Sequence, residues 1–240
     1  MKKDKNGARP HFHGIRKKMN IGKSSNMPFE KQEVEEYERK RYRGIDQRLV
    51  HGREGRLLRK ILSKIGGGPL LVLDVPCGYG RFSDLLLDKD FTLVSSDLSF
   101  HMVKRAREKG EHPHSRFLSG VVADAKQGLP FKKGVFSLLL SMRFFHHVHE
   151  KEEREFILKE FSRASSDWVI LSYYQKNLLH NLQRILRRRI KKSRTRIKMI
   201  PRREFYNEVE GAGLKVVKIS PLFRGIHAHH IALLKKMGSN

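Results

Sequence analysis

From residue 70 onward, short apolar runs alternate with amphipathic stretches along the chain. The runs at 70–75, 91–96, 116–122, 135–142 and 167–174 read as strands. Stretches near 80–88, 99–109 and 150–164 carry the spacing of helices. A run such as "VFSLLLSM" is apolar without a break, as in a strand covered on both faces. Strands alternating with helices predict a parallel sheet between two helical layers. The end of the chain differs. A helix near 201–211 precedes strands at 213–220 and 229–236, whose short link predicts antiparallel pairing. Upstream, residues 28–43 are charge-dense and helical in pattern. A helix over 46–65 places Leu49, Leu57, Leu58, Ile61 and Leu62 on one face, and "GGG" at 66–68 ends it. The expected fold is therefore α/β, a seven-stranded, mostly parallel, doubly wound sheet with an antiparallel last strand. It carries a helical N-terminal extension and a helical insertion after the fifth strand. Residues 1–28, polar and punctuated by Gly and Pro, read as a flexible tail on a domain spanning 29–240.

Charge adds a partner to this picture. The chain holds 51 Lys and Arg against 25 Asp and Glu, a net charge of +26. Residues 1–24 carry eight basic residues and one acidic, and residues 176–203 carry twelve basic and none acidic. Two concentrated blocks suit a polyanion, against the plainer reading of a solvated tail and a solvated helix face. In the second block Leu178, Leu179, Leu182, Ile185, Leu186 and Ile190 form one apolar stripe, with Arg184, Arg187, Arg188 and Lys191 off it. Such a helix would dock its stripe on the body and present a basic face to RNA phosphates. The same design suits anionic lipid headgroups, a peripheral membrane contact. No apolar run is long enough to span a bilayer. The basic start lacks the apolar run of a secretory signal. The single cysteine excludes an intramolecular disulfide and a multi-cysteine zinc site. A cytoplasmic location is expected.

The chemistry centres on "LVLDVPCGYGRF", residues 71–82. Gly78 and Gly80 begin a dinucleotide fingerprint, but Ser83 stands where its third glycine belongs, and no Gly-Lys-Ser/Thr follows. The stretch resembles the first motif of class I S-adenosylmethionine-dependent methyltransferases. "VSSDLSFHMVKRARE" (94–108), "VVADAKQGLPFKKGVFSLLLSMRFFHHV" (121–148) and "REFYNEVEGAGLKVVKI" (203–219) resemble that family's later blocks, in order. The resemblance implies that fold, S-adenosylmethionine as cofactor, and methyl transfer. Gly78 and Gly80 would let a ligand approach the backbone, and a helix opening at 79–81, with Tyr79 and Arg81, would aim N–H groups at its carboxylate. Asp97, ending the second strand, would accept from both ribose hydroxyls. By resemblance, Asp74 lies near the methionine ammonium, Asp124 near the adenine amino group, and Ala125 offers an N–H to the ring. Leu98 and Ser141 complete the cofactor-facing set. For Asp97 and Asp124 the alternative is a turn-forming carboxylate.

Cys77 reads as a small pocket-lining residue rather than a nucleophile. His146 and His147, after the fourth strand, are candidate general bases, since imidazole titrates near neutrality. Alternatively one caps the strand and the other packs beneath a helix. Arg143 would either hold an anionic group of the acceptor or pair with a helix carboxylate such as Glu152. The histidine clusters lack carboxylate or thiolate company at ligand spacing, so no metal is expected. The expected activity is methyl transfer to a polyanion, with RNA favoured. An anionic small molecule or lipid-linked glycan at a membrane surface is the alternative acceptor. A non-catalytic RNA-binding protein that kept the fold is a third reading.

Overall fold

The computed structural model describes residues 31–41, 44–66, 70–112, 115–176, 197–223 and 228–238. Two helices lead, α1 (Lys31–Arg41) and α2 (Ile45–Ile65). Then come β1 (Leu71–Asp74), α3 (Ser83–Leu87), β2 (Thr92–Asp97), α4 (Phe100–Gly110), β3 (Phe117–Val122) and β4 (Phe136–Ser141). A 3₁₀ turn (Phe145–His147), α5 (Lys151–Ala164), β5 (Ser165–Tyr174), α6 (Arg202–Gly211), β6 (Leu214–Pro221) and β7 (His229–Lys236) follow. The tail 1–28 and most of the insertion, including Arg184, Arg187, Arg188 and Lys191, lie outside the described residues.

The seven strands form one sheet in the order β3-β2-β1-β4-β5-β7-β6. All neighbours are parallel except β7, which runs antiparallel to both β5 and β6. This is the expected doubly wound sheet with its reversed last strand. The central strands β1, β4 and β5 are mostly apolar because each face has its own core. Leu73, Leu139, Val169 and Leu171 point to one side, against Ile157 and Phe161 of α5 and Phe205 of α6. Val72, Leu138, Leu140 and Ile170 point to the other, against Leu58, Ile61 and Leu62 of α2 and Leu86 of α3. The N-terminal extension is thus part of a helical layer. Leu49, expected on the buried face of α2, is 59% exposed, so its stripe starts a turn later than the pattern suggested. Arg154 of α5 is fully buried, with its guanidinium on Glu208 and Glu204 of α6 and on the His149 carbonyl.

Two boundaries differ in ways that matter for the site. The helix expected over 80–88 is only Ser83–Leu87, because residues 77–82 are spent in turns closed by Gly80 N–H on the Cys77 carbonyl and Ser83 N–H on the Gly80 carbonyl. Residues 79–81 are therefore loop, and no helix end there aims N–H groups at a ligand. The strand order reverses between β1 and β4, and crevices at such switch points, beyond the carboxyl ends of the strands, are where open α/β sheets bind ligands. Among the described residues no helix is long and apolar enough to cross a membrane.

Candidate cofactor and acceptor site

β1 delivers Asp74 to the crevice and the chain turns at once. Val75 N–H donates to the Leu140 carbonyl and Cys77 N–H to the Ser96 carbonyl, so the loop hangs between β4 and β2. Its tip is held by Asp97. One carboxylate oxygen accepts from Gly78 N–H at 2.9 Å and the other from Ser99 N–H at 3.0 Å. Ser99 in turn caps α4, its hydroxyl accepting from Met102 N–H. A carboxylate has about four acceptor positions, so Asp97, which also accepts from Leu98 N–H, keeps some acceptor capacity while it fixes the loop.

The two glycines do different work. Gly78 (φ +54°) has nothing within 4 Å of where a Cβ would stand, which leaves open space above the loop. Gly80 (φ +75°) is tight: a Cβ would meet Ala106 Cα and Ser83 Oγ at 2.9 Å each. Its purpose is close packing of the loop on α4 rather than approach of a ligand, a correction to the sequence reading. The Tyr79 side chain is likewise turned away. It is buried with Val34 of α1 and Met102 of α4, beneath the Lys109 ammonium, so only its backbone can face a ligand.

Asp74 is 1% exposed, and its Oδ2 has no hydrogen-bond partner among the described residues. Burial, and then the charge of Asp97, hold its carboxyl well above the usual range. Burial also raises Asp97, against the backbone N–H bonds it accepts. Burial pushes the Cys77 thiol well up, with Asp97 and Asp74 adding to it. Since the thiolate is the nucleophile, Cys77 is an inert lining residue. An orphaned buried carboxylate oxygen is the expected seat of a cation, and the ammonium of S-adenosylmethionine fits it. That group, the gap at Gly78 and the free acceptor capacity of Asp97 match three parts of one molecule.

The remaining expected residues are distributed around this seat. Leu98 is 37% exposed beyond Asp97, Ala125 is buried, and the Ser141 hydroxyl is buried at the end of β4 with no partner among the described residues. Asp124 is engaged by its own turn, accepting from Lys126 N–H at 2.9 Å and from the Gln127 amide at 3.3 Å. Its turn-forming role is real, and the residue is half-buried.

The residue that organises the acceptor side was not singled out in the sequence. Glu54 of α2 is fully buried and pairs with Arg81 of the glycine loop. Its Oε1 accepts from Arg143 Nε at 2.7 Å and lies 3.5 Å from His229 Nδ1. Arg81 also donates through Nε to His51 Nδ1 at 3.0 Å. Arg143 therefore pairs with a helix carboxylate, but Glu54 rather than Glu152, and it stands at φ +60° with its N–H on Ser172 Oγ at 2.6 Å. A non-glycine residue costs about 1–2 kcal/mol there. The sequence did hold a signal: Glu54 is four residues before Leu58, on the apolar stripe of an otherwise basic helix. Beside this hub the His146 ring centroid lies 4.2 Å from that of His147 and 4.7 Å from that of Tyr174, which stacks on His229 at 4.9 Å.

This crevice, with its carboxylate pair and glycine loop at the switch point, lies where a class I methyltransferase fold would hold its cofactor. Residues 73–167 match the family model described as a methyltransferase domain. Magnesium protoporphyrin IX methyltransferase from Synechocystis, solved with S-adenosylhomocysteine, superposes with a TM-score of 0.68. It covers 86% of this chain and 100% of that one at 17% identity. A tRNA (carboxymethyluridine(34)-5-O)-methyltransferase, alkbh8, of Xenopus tropicalis is 30% identical over 115 residues, 45% of this chain and 17% of that protein. An uncharacterized protein of Methanocaldococcus jannaschii is 33% identical over 93 residues, 39% of this chain and 35% of that one. The chain thus spans only part of the length of its curated relatives. Its fold is that of the class I S-adenosylmethionine-dependent methyltransferases, with a methyltransferase-domain match over its central strands.

Two substitutions separate the glycines. Gly80→Ala is expected to destabilise the fold by more than about 1 kcal/mol, read as a lower denaturant midpoint. Gly78→Ala is expected to keep the fold to within about 1–2 kcal/mol and to lose S-adenosylmethionine binding in a calorimetric titration. Asp74→Asn tests the orphaned carboxylate. Its folded-state pKa lies above its unfolded value of 3.8, so the folded state binds more protons and stability falls as pH rises between the two. The Asn variant is expected to melt higher than wild type at neutral pH, with the gap closing toward pH 3.8, and to bind the cofactor more weakly. Equal melting temperatures across that range would contradict the assignment.

Proposed function

We propose that this protein transfers the methyl group of S-adenosylmethionine to RNA, in the cytoplasm. The observation that carries the reading lies at the carboxyl ends of β4 and β5. Two guanidiniums, Arg81 and Arg143, share one buried carboxylate, which leaves a net positive charge there. Beside it lies a ring cluster in which His146 and His229 are buried and His147 and Tyr174 are partly exposed. Positive charge with stacked rings is what an unstacked nucleotide requires: phosphate held by cations, base held by π-faces. The charge of +26 supports the same acceptor, as does the match to a relative named as a tRNA methyltransferase. The basic tail 1–28 and the block 176–203 would then serve as further anchors on the polyanion.

The bound cofactor supplies an electrophilic methyl group. The chain does the rest by position. Asp74 holds the cation, Asp97 fixes the loop and the hydroxyls, and the Glu54 hub fixes Arg143, whose side chain is 20% exposed, toward the acceptor. His147 is half-buried where His146 is 6% exposed, so His147 is the imidazole able to take a proton from an acceptor O–H or N–H. His146 positions it, with its carbonyl tied to Lys198 N–H.

The test is tritiated S-adenosylmethionine offered with total RNA, an anionic lipid extract and a small-molecule pool. Label is expected in RNA, and label in lipid or small molecules alone would overturn the reading. His147→Ala is expected to lower kcat by ~10²–10⁴ with cofactor affinity unchanged. A fall in melting temperature with kcat unchanged would make the residue structural.

A further inference from the structure

A second cationic feature lies outside the crevice, between α2 and the edge strand β6. A groove of about 210 Å³ is lined by Arg53, Leu57, Lys60 and Ile61 on one side and by Lys218, Ile219 and Ser220 on the other. That volume equals roughly seven waters at about 30 Å³ each. On α2 these residues, with Lys64, fall at i, i+4, i+7, i+8 and i+11, one face of the helix. Leu57 and Ile61 give the groove an apolar floor, while Arg53, Lys60, Lys64 and Lys218 give it four cations. None of the four has a carboxylate partner among the described residues. The Lys64 ammonium beside Lys218 holds that lysine below its usual range, and Lys60 adds to the effect. A surface shaped for stability alone would intersperse acids here, since like charges repel.

One end of the groove lies at the active-site end of the sheet. β6 runs in the same direction as the parallel strands, so Ser220 lies near their carboxyl ends. Arg53 Nε donates to the Leu222 carbonyl at 3.1 Å, and its neighbour in sequence is Glu54, the hub that holds Arg143.

We infer that the groove between α2 and β6 binds backbone phosphates of the acceptor RNA outside the reacting nucleotide, through Lys60, Lys64 and Lys218. The inference rests on the RNA reading above and adds a place to it. The cations run in a row along one helix face beside a recess, which suits a threaded polyanion better than a flat membrane surface.

The test uses the full chain carrying Lys60→Gln, Lys64→Gln and Lys218→Gln together. Arg53 is left in place because its bond to Leu222 is structural. Fluorescein-labelled poly(A) and phosphatidylglycerol vesicles are titrated over a range of salt. The triple variant is expected to bind poly(A) about tenfold or more weakly. Its log–log salt slope should be smaller by about 2–3, from roughly 0.7–0.9 per phosphate contact. Its melting temperature should equal or exceed that of wild type, because repulsion has been relieved. Poly(A) binding with an unchanged slope overturns the groove and leaves the RNA reading standing. A wild-type chain that binds no poly(A) overturns the RNA reading and this inference with it. If that chain instead binds vesicles through the three lysines, the occupant is a lipid headgroup.

Discussion

Glu54 is the constraint on which the site depends. A single buried carboxylate reaches the glycine loop through Arg81, the end of β4 through Arg143 and the start of β7 through His229. Those three segments are far apart in sequence and carry different parts of the chemistry. Burying a carboxylate among guanidiniums is favourable only with its partners in place, and removing one side of such a pair costs about 3–5 kcal/mol. The geometry of the glycine loop and of the ends of β4 and β5, the proposed cofactor seat and acceptor edge, is thus coupled to the docking of α2. The N-terminal extension is a working component of the domain for this reason.

The cofactor side is built on the opposite principle. Asp74 and Asp97 are carboxylates that burial works against, and Asp74 keeps one oxygen without a partner. A fold optimised for stability would not leave them so. A cation and hydroxyls bound here would relieve that disfavoured state, so cofactor binding would be coupled to local stability.

The sheet was legible because its strands are buried on both faces, and runs such as "VFSLLLSM" have few other uses. Asp97 was legible because a carboxylate ending a strand before a helix has a restricted set of roles. Three features were hidden. The short α3 was misjudged because residues 80–82, expected to open the helix, are held in turns by Gly80 against Ala106, a tertiary contact. Glu54 was overlooked because its partners lie 27 to 175 positions away in the sequence, where no local pattern reaches. The cations of the α2–β6 groove were missed because they alternate with apolar residues, and a basic face becomes visible only when helix and strand are brought together. Leu49 erred the other way, its helical spacing being right while the body ends before reaching it.

The most direct measurement is the affinity for S-adenosylmethionine of Glu54→Gln, titrated calorimetrically on protein whose near-UV circular dichroism confirms folding. Glutamine keeps the shape and removes the charge that holds Arg81 and the loop. At about 1.5–3 kcal/mol for a charge-assisted hydrogen bond, the account predicts a dissociation constant raised tenfold or more. Wild-type affinity in the folded variant would contradict it, and would mean that the glycine loop holds its shape without the helix that covers it.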